Sequence, residues 1–259
     1  MINMIEDFSC KLNNENINGL IYKPDDLKGK VPMVILSHGL SLNYTYMIPY
    51  AKKLLNYGIA SVVFDFRGGG YDCKSDGKIS EMSPLTEIDD LNCVIDNVKK
   101  LDFVDSNKLY LAGHSQGGLV SSLLAPSRSK DIAALFLFAP AYVIPDDTRN
   151  LTNMREDNVL NLMPEYLGEK YINDSSSINL YDDIKSYKKP VYIFHGKLDQ
   201  RIPVSYAINA DKSYDNSSLL IFDNEPHRFS DETKNIVVSK INDIIFKWVL
   251  KILLYFKLH

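Results

Sequence analysis

Cysteine is scarce in this sequence, and the cysteines do not have the spacing of metal ligands. Cys10, Cys73 and Cys93 are the three cysteines among 259 residues, and they lie far apart without a CxxC pair. An odd number of widely separated cysteines predicts free thiols in a reducing compartment. We therefore expect a cytoplasmic protein without disulfides and without a cysteine-based metal site.

The sequence also lacks a targeting segment, a long apolar run and a dense basic cluster. Residues 1–10 do not contain a basic segment followed by an apolar segment, so they do not predict a signal peptide. The most apolar helical stretch, 244–256, contains Lys247 and Lys251 and is too short to span a bilayer. A net charge of −4 argues against a nucleic-acid partner. We expect neither a membrane nor a nucleic acid as a partner.

Short apolar runs alternate with longer segments of helical periodicity. The predicted strands are 31–37, 60–66, 108–112, 133–138, 191–194 and 218–222, and the predicted helices are 46–56, 84–101, 117–125, 205–214 and 231–254. Most of these strands are apolar almost throughout, as is typical of strands covered by helices on both faces. The alternation predicts an α/β protein with a mostly parallel central sheet, and 259 residues suit one domain, 1–259.

Two regions depart from this alternation. Residues 8–12 and 17–22 flank an Asn-Asn-Glu-Asn turn and predict an antiparallel hairpin at the edge of the sheet. Residues 141–189 contain no strong strand, and a stretch of this length inside a domain indicates an insertion with short helices. The insertion follows the C-terminal end of a strand, where α/β sheets bind ligands, so we interpret it as a small cap over the active site.

The strongest motif is Gly113-His-Ser-Gln-Gly117, a G-x-S-x-G sequence between an apolar strand and a small-residue helix. This context is that of the nucleophile elbow of an α/β-hydrolase fold, in which glycines let the backbone turn sharply around the serine. A glycine-rich turn with an incidental serine is the alternative. The motif predicts Ser115 as the catalytic nucleophile.

The loop after the 31–37 strand begins His38-Gly39-Leu40. In this fold, that loop and the residue after the nucleophile each supply a backbone N–H to the oxyanion hole, so we expect the amides of Leu40 and Gln116 to do so. The His38 side chain either structures the loop, which is the interpretation we favour, or contacts the substrate.

Chain order identifies the base and the acid, because this fold places Ser first, then Asp or Glu, then His. Of five histidines only His227, in a turn after a late strand, satisfies that order, and His114 is expected to point away from the site. Asp199 follows the 191–194 strand and is the best acid, with Asp223 and Glu225 as rivals. The sequence predicts a Ser115–His227–Asp199 triad.

Three motifs together resemble bacterial cinnamoyl/feruloyl esterases of the α/β-hydrolase superfamily. They are Gly113-His-Ser-Gln-Gly-Gly118, His195-Gly-x-x-Asp199 and Pro226-His-Arg-Phe229. The resemblance implies hydrolysis of hydroxycinnamate esters without a cofactor or metal. It also implies an insertion over the acyl pocket, in which an aspartate and a tyrosine bind the substrate's phenolic hydroxyl. Asp146 or Asp147 matches the aspartate, and Tyr171 matches the tyrosine.

Other readings of the same motifs remain open. The polar residues of the insertion can be solvated cap residues. The 68–74 loop is longer than in the resembling family, and 146–177 is rich in Asn and Ser. A monoacylglycerol lipase or a peptidase would use the same triad, and a non-catalytic ligand-binding domain could retain the scaffold. The expected partner is a small-molecule ester, and the oligomeric state is open, with a homodimer as one candidate.

Overall fold

The computed structural model describes residues 4–25, 27, 29–154 and 167–257. Within them, eight strands form one sheet in the order β1-β2-β4-β3-β5-β6-β7-β8. The strands are β1 Met4–Leu12, β2 Glu15–Lys23, β3 Val31–Ser37, β4 Ala60–Phe64, β5 Val104–His114, β6 Ile132–Phe138, β7 Val191–Gly196 and β8 Ser217–Phe222. The predicted hairpin is present, since β1 pairs antiparallel with β2 and β2 with β4. The neighbouring strands from β4 to β8 all pair in parallel.

Helices connect the parallel strands as the alternation predicts. They are α1 Ile48–Leu55, α2 Pro84–Val98, α3 Gln116–Leu124, α4 Ile144–Met154, α5 Glu169–Ser176, α6 Leu180–Ile184, α7 Val204–Ser213 and α8 Asp231–Lys257. The start of α2 is fixed locally, because Ser83 and Thr86 form a reciprocal capping box around Pro84 at the first helical turn. In the described part of the chain, none of the helices has the length and apolar character needed to cross a membrane.

The central strands of the sheet are buried on both faces, which explains their unbroken apolar sequences. In β3, Met33 and Ile35 join the core shared with α2 and α3. Val34 and Leu36 face the opposite way, into the core shared with α1 and α8. All four side chains are fully buried. Because successive side chains of a strand point to opposite faces, two cores of this kind need apolar residues at every position.

The predicted insertion lies between β6 and β7. Its described parts form three helices, α4, α5 and α6, and α4 packs against α5. Residues 155–166, between α4 and α5, lie outside the described residues. Ala141, Val143 and Ile144, at the start of the insertion, line the same cleft as Ser115. That 141–189 acts as a cap remains a prediction.

Candidate active site

Ser115 occupies a sharp turn between β5 and α3. Its backbone has φ 55° and ψ −120°, a strained conformation for a residue with a side chain. The turn needs glycines beside it. A Cβ on Gly113 would lie 2.2 Å from the carbonyl oxygen of Gly117, and a Cβ on Gly117 would lie 2.4 Å from that of His38. This is the geometry that the G-x-S-x-G motif predicts, and it presents the serine at the N-terminus of α3.

The imidazole of His227 connects Ser115 to Asp199. His227 Nε2 lies 3.1 Å from Ser115 Oγ, and Nδ1 lies 2.7 Å from Asp199 Oδ2. A carboxylate only accepts hydrogen bonds, so Nδ1 carries the proton and the lone pair of Nε2 faces the serine hydroxyl. Ser115 O–H then donates to Nε2. This arrangement allows His227 to take the proton as the serine oxygen attacks.

Asp199 is held as an ionised partner. Its Oδ1 accepts the backbone N–H groups of Arg201 at 2.8 Å and Ile202 at 2.9 Å. Burial alone would raise the pKa of Asp199. The hydrogen bonds from His227 and from the two amides outweigh burial, so the pKa lies below its usual value. Asp199 is therefore a carboxylate at neutral pH, as an acid that orients a histidine must be.

The two alternative acids, Asp223 and Glu225, do not point towards Ser115. Asp223 pairs with Lys197 at 2.9 Å on the surface. Glu225 accepts hydrogen bonds from Ser230 and Thr233 at the start of α8. Both carboxylates therefore have their own partners away from the serine, and Asp199 is the one that meets His227.

The loops that carry Asp199 and His227 are bonded to each other. Leu198 N–H donates to the carbonyl oxygen of Glu225 at 3.0 Å, between the β7 loop and the β8 loop. Gly196 lies at this crossing, because a Cβ there would come within 2.2 Å of the same carbonyl oxygen. The close approach of two backbones fixes the separation of acid and base.

Two further histidines brace this arrangement. The expectation that His114 points away is wrong: its side chain lines the cleft, and its ring centroid lies 4.8 Å from that of His227. Its Nε2 lies 3.2 Å from the carbonyl oxygen of His227, so Nε2–H donates there. Burial lowers the pKa of His114 to about 3, which keeps it neutral. His195 similarly donates from Nε2 to the carbonyl oxygen of Ile202 at 2.9 Å, beneath the Asp199 loop.

The two predicted oxyanion donors lie beside the serine. Leu40 lines the cleft with Ser115, and the adjoining Gly39 is so close that a Cβ on it would lie 2.9 Å from Ser115 Cβ. Gln116 is the first residue of α3, so its backbone N–H has no acceptor within the helix. The placement of both amides is compatible with an oxyanion hole, which stays a prediction.

His38 structures the loop instead of facing the substrate. Its side chain is fully buried, Nε2 accepts the Phe66 N–H at 3.1 Å, and Nδ1–H donates to the Gly39 carbonyl oxygen at 2.9 Å. Burial lowers its pKa to about 4, so it is neutral. The alternative prediction that His38 contacts the substrate is wrong, because both of its ring nitrogens are hydrogen-bonded to the backbone.

His38 also belongs to a potential metal-ligand cluster with Asp65 and Cys73, whose ligand atoms lie within 4.8 Å of one another. The Asp65 oxygens, however, accept the backbone N–H groups of Tyr44 at 2.5 Å and Lys74 at 2.6 Å. With His38 Nε2 also engaged, these polar atoms fix the crossing of two loops. We do not assign a metal to them.

The structure distinguishes the two aspartates of the insertion. Asp146 accepts hydrogen bonds from Arg149 at 2.7 Å and Tyr206 at 2.8 Å and lines a separate cavity. Asp147 lines the cleft that contains Ser115 and His227. Burial, reinforced by the nearby Asp146 charge, raises the pKa of Asp147. Of the two aspartates, Asp147 is the one in the cleft, and its contact with substrate stays a prediction.

Tyr171 lies behind the site and is not among the residues that line the cleft. Its side chain is fully buried, and its hydroxyl donates to Gln116 Oε1 at 2.6 Å. The same carboxamide hydrogen-bonds Glu87 of α2, and its Nε2 lies 3.5 Å from Met82 Sδ. Burial raises the pKa of Glu87 well above its usual value. The predicted contact of Tyr171 with substrate is therefore corrected: Tyr171 contacts the residue after Ser115.

A cleft of about 920 Å³ opens over the serine. Its apolar lining comes from the loop after β3, the start of the insertion and the loop after β7: Leu40, Leu42, Ala141, Val143, Ile144 and Ile202. Asp147, Arg201 and Arg228 are its charged residues. Arg228 lies over the ring of Tyr46, 5.7 Å from the centroid. The volume suits a small organic molecule.

Comparison with known proteins agrees with this geometry. The sequence pattern of the serine aminopeptidase family S33 matches residues 30–212, which span the predicted nucleophile and acid. The chain belongs to the serine aminopeptidase S33 family. The α/β-hydrolase fold expected from the sequence is thereby confirmed, with its mostly parallel sheet and N-terminal antiparallel hairpin.

Individual proteins extend the comparison. The structure of Est1E from Butyrivibrio proteoclasticus with ferulic acid bound is 25% identical, with a TM-score of 0.78 over 94% of this chain and 98% of Est1E. An uncharacterised 31.7 kDa protein of the traX-finO intergenic region of Escherichia coli is 30% identical over 118 residues, which are 44% of this chain and 40% of that protein. The quorum-quenching protein AidA of Acinetobacter baumannii is 26% identical over 114 residues, 43% and 36% respectively. The chain thus spans about two fifths of the curated relatives that it matches.

Proposed function

We propose that this S33-family chain is a serine carboxylesterase that hydrolyses hydroxycinnamate esters through an acyl-enzyme. The observation that carries the proposal is the continuous hydrogen-bonded chain from Asp199 through His227 to Ser115 at an open cleft. A buried carboxylate, a histidine in the required tautomer and a strained serine together suit nucleophilic attack on an acyl carbon.

Each group has a defined role in the proposed reaction. Ser115 Oγ attacks the ester carbonyl carbon while His227 Nε2 takes the serine proton, and Asp199 stabilises the imidazolium that forms. The amides of Leu40 and Gln116 bind the developing oxyanion, and one such donor is worth about 3–4 kcal/mol. His227 then protonates the leaving alcohol. Water, activated by the same histidine, releases the acid from Ser115.

Two observations favour an aromatic acyl group. Est1E, which shares the fold over almost the whole chain, has been solved with ferulic acid. In the present cleft, the apolar side chains of Ala141, Val143 and Ile144 adjoin the carboxyl group of Asp147. A planar apolar acid with one polar end matches such a lining, and Asp147 would accept the hydrogen bond of the phenolic hydroxyl. Of the two aspartates that the resemblance left open, this proposal takes Asp147, and it gives Tyr171 no contact with the substrate.

A substrate panel tests the proposal. We expect kcat/KM for methyl ferulate to exceed that for methyl acetate, and Ser115→Ala to abolish both activities. Ser213→Ala, at the end of α7, removes a hydroxyl that bonds only the helix carbonyl of Asn209 and serves as the matched control. Full hydrolysis by the Ser115→Ala variant would refute the nucleophile. Equal rates on the two esters would refute the hydroxycinnamate preference and leave a general esterase.

Aminopeptidase activity is the second candidate, because the family is described by that activity. Among the described residues, Asp147 is the only carboxylate that lines the cleft, and it would have to hold the substrate's α-ammonium group. An aminoacyl anilide in the same panel separates the two: preferential release of the aniline would favour the peptidase. A monoacylglycerol tests the lipase alternative in parallel. If a fluorophosphonate fails to label the chain, the non-catalytic ligand-binding alternative takes the place of all three.

A further inference from the structure

Two of the three cysteines meet far from the cleft. The Sγ atoms of Cys10 and Cys93 lie 3.2 Å apart, although the residues are 83 positions apart in the chain. Cys10 lies on β1 and is buried, whereas Cys93 lies on α2 and is partly exposed. The sulfurs of a disulfide are about 2 Å apart, so bond formation needs the two atoms to approach by only about 1 Å.

Both thiols lie on elements that already pack together. Cys93 Sγ is 3.4 Å from the carbonyl oxygen of Lys11, the residue after Cys10, so helix and strand are in direct contact there. Asn97, one turn further along α2, donates to the carbonyl oxygen of Cys93 at 2.9 Å. Neither cysteine lines the cleft over Ser115. A bond between them would therefore cross-link the edge hairpin to α2 without altering the triad.

We propose that Cys10 and Cys93 are a redox-modification site that closes to an intramolecular disulfide on exposure to a peroxide. Burial raises the pKa of the Cys10 thiol far above its usual value, and the Cys93 sulfur adds to that rise, so Cys10 is a poor first nucleophile. Cys93 is the partly exposed member of the pair and reacts first.

The steps balance with one peroxide as the oxidant. The Cys93 thiol loses its proton and the thiolate attacks one oxygen of hydrogen peroxide. The O–O bond breaks, Cys93 becomes a sulfenic acid, and the departing hydroxide takes up the proton released by Cys93 and leaves as water. The Cys10 sulfur then attacks the Cys93 sulfur, the S–O bond breaks, and the hydroxyl group leaves with the Cys10 proton as a second water. Two thiols are oxidised by two electrons in total, and one molecule of hydrogen peroxide is reduced to two waters.

The third cysteine provides the internal control. Cys73 Sγ contacts the carbonyl oxygen of Leu42 at 3.7 Å. No second cysteine sulfur is recorded beside it in the described part of the chain. Burial, with the charge of Asp65, raises the pKa of its thiol to about 12. Cys73 therefore stays reduced under the mild peroxide treatment that closes the Cys10–Cys93 pair.

The test uses the full chain treated with stoichiometric hydrogen peroxide. We expect titratable thiols under denaturing conditions to fall from three to one, with a non-reducing peptide map linking the segments of Cys10 and Cys93. Because the cross-link closes a long loop of the unfolded chain, Tm should rise by about 5–15 °C and return after dithiothreitol. In the Cys73→Ser variant the titratable thiols should fall from two to none, with the same linked segments and the same rise in Tm.

The Cys93→Ser variant should retain two thiols and show no reversible rise in Tm. It alters a partly exposed side chain, so it stays informative if a change at the buried Cys10 impairs folding. Three unchanged thiols after treatment would overturn the proposal. So would a disulfide that involves Cys73, or one that joins two chains.

Discussion

Replacing Tyr171 by phenylalanine removes a single oxygen atom from the contact between the insertion and the nucleophile elbow. The Tyr171 hydroxyl donates to Gln116 Oε1 at 2.6 Å, and both side chains are fully buried. Phenylalanine fills the same volume, so the packing of α5 is retained. The carboxamide oxygen of Gln116 loses this donor in a place that solvent does not reach.

The expected magnitudes follow from that loss. An unpaired buried acceptor costs about 1–3 kcal/mol, so the free energy of unfolding should fall by that amount. Gln116 also carries a proposed oxyanion donor, worth about 3–4 kcal/mol when complete. If freeing its side chain weakens that donor by about a third, kcat falls about 5- to 10-fold. Because the oxyanion is common to all esters, the fall should be equal for methyl ferulate and methyl acetate.

Tyr187→Phe is the matched control. Tyr187 is also fully buried, and its hydroxyl donates to the carbonyl oxygen of Ile132 at 3.2 Å, at the start of β6. We expect this variant to lose stability without a change in kcat. Urea unfolding and steady-state kinetics on the two esters measure both effects for each variant.

Two results would refute the reasoning for Tyr171. If Tyr171→Phe raises KM for methyl ferulate and leaves methyl acetate unaffected, the hydroxyl binds the phenolic group of the substrate, as the resemblance first implied. If neither stability nor kcat changes, the hydrogen bond to Gln116 contributes nothing, and the side chain of Gln116 is held by its other neighbours.

Two predictions concern other carboxyl groups. Asp199→Asn should lower kcat about 10⁴-fold, because the amide favours the wrong tautomer of His227. The control variant Asp223→Asn should change kcat less than about 2-fold. Similar losses in both variants would contradict the assignment of Asp199 as the acid. Burial raises the pKa of Glu87 in the folded protein above its ordinary value of 4.5. The protonated carboxyl group therefore stabilises the fold fully below pH 4.5, and this stabilisation is lost as the pH rises towards the folded-state pKa. Glu87→Gln should therefore gain stability over the parent by about 1.4 kcal/mol per pH unit in that window, and a pH-independent difference between urea unfolding curves at pH 5 and 7 would contradict this.

The strands and the triad could be predicted because local rules define them. Strand 31–37 was predicted with its observed bounds, since every residue of β3 is apolar or small and a doubly covered strand needs no alternation. Ser115, Asp199 and His227 each follow a strand, and their order along the chain is a property of the sequence. The observed β5 begins four residues before the predicted strand, because Asp105 is polar and half-buried and Ser106 and Asn107 are polar and exposed.

The orientation of buried polar side chains could not be predicted from local patterns. His114 meets His227, 113 positions away, only because the loop after β8 returns over the elbow. Tyr171 has the position in the chain that the resemblance requires, but α5 directs its hydroxyl to Gln116. Asp146 and Asp147 are adjacent, and only the register of α4 decides which of them faces the cleft. These outcomes depend on tertiary packing.

The backbone bond between Leu198 and Glu225 and the ion pair between Lys197 and Asp223 both link the loop after β7 to the loop after β8. Asp199 and His227 therefore lie on two loops that are bonded to each other, whereas Ser115 lies on the turn between β5 and α3. An opening that moves these two loops apart breaks the hydrogen bond of the Leu198 amide. Hydrogen exchange at that amide thus reports how often the loops come apart, in the absence of substrate and without a mutation.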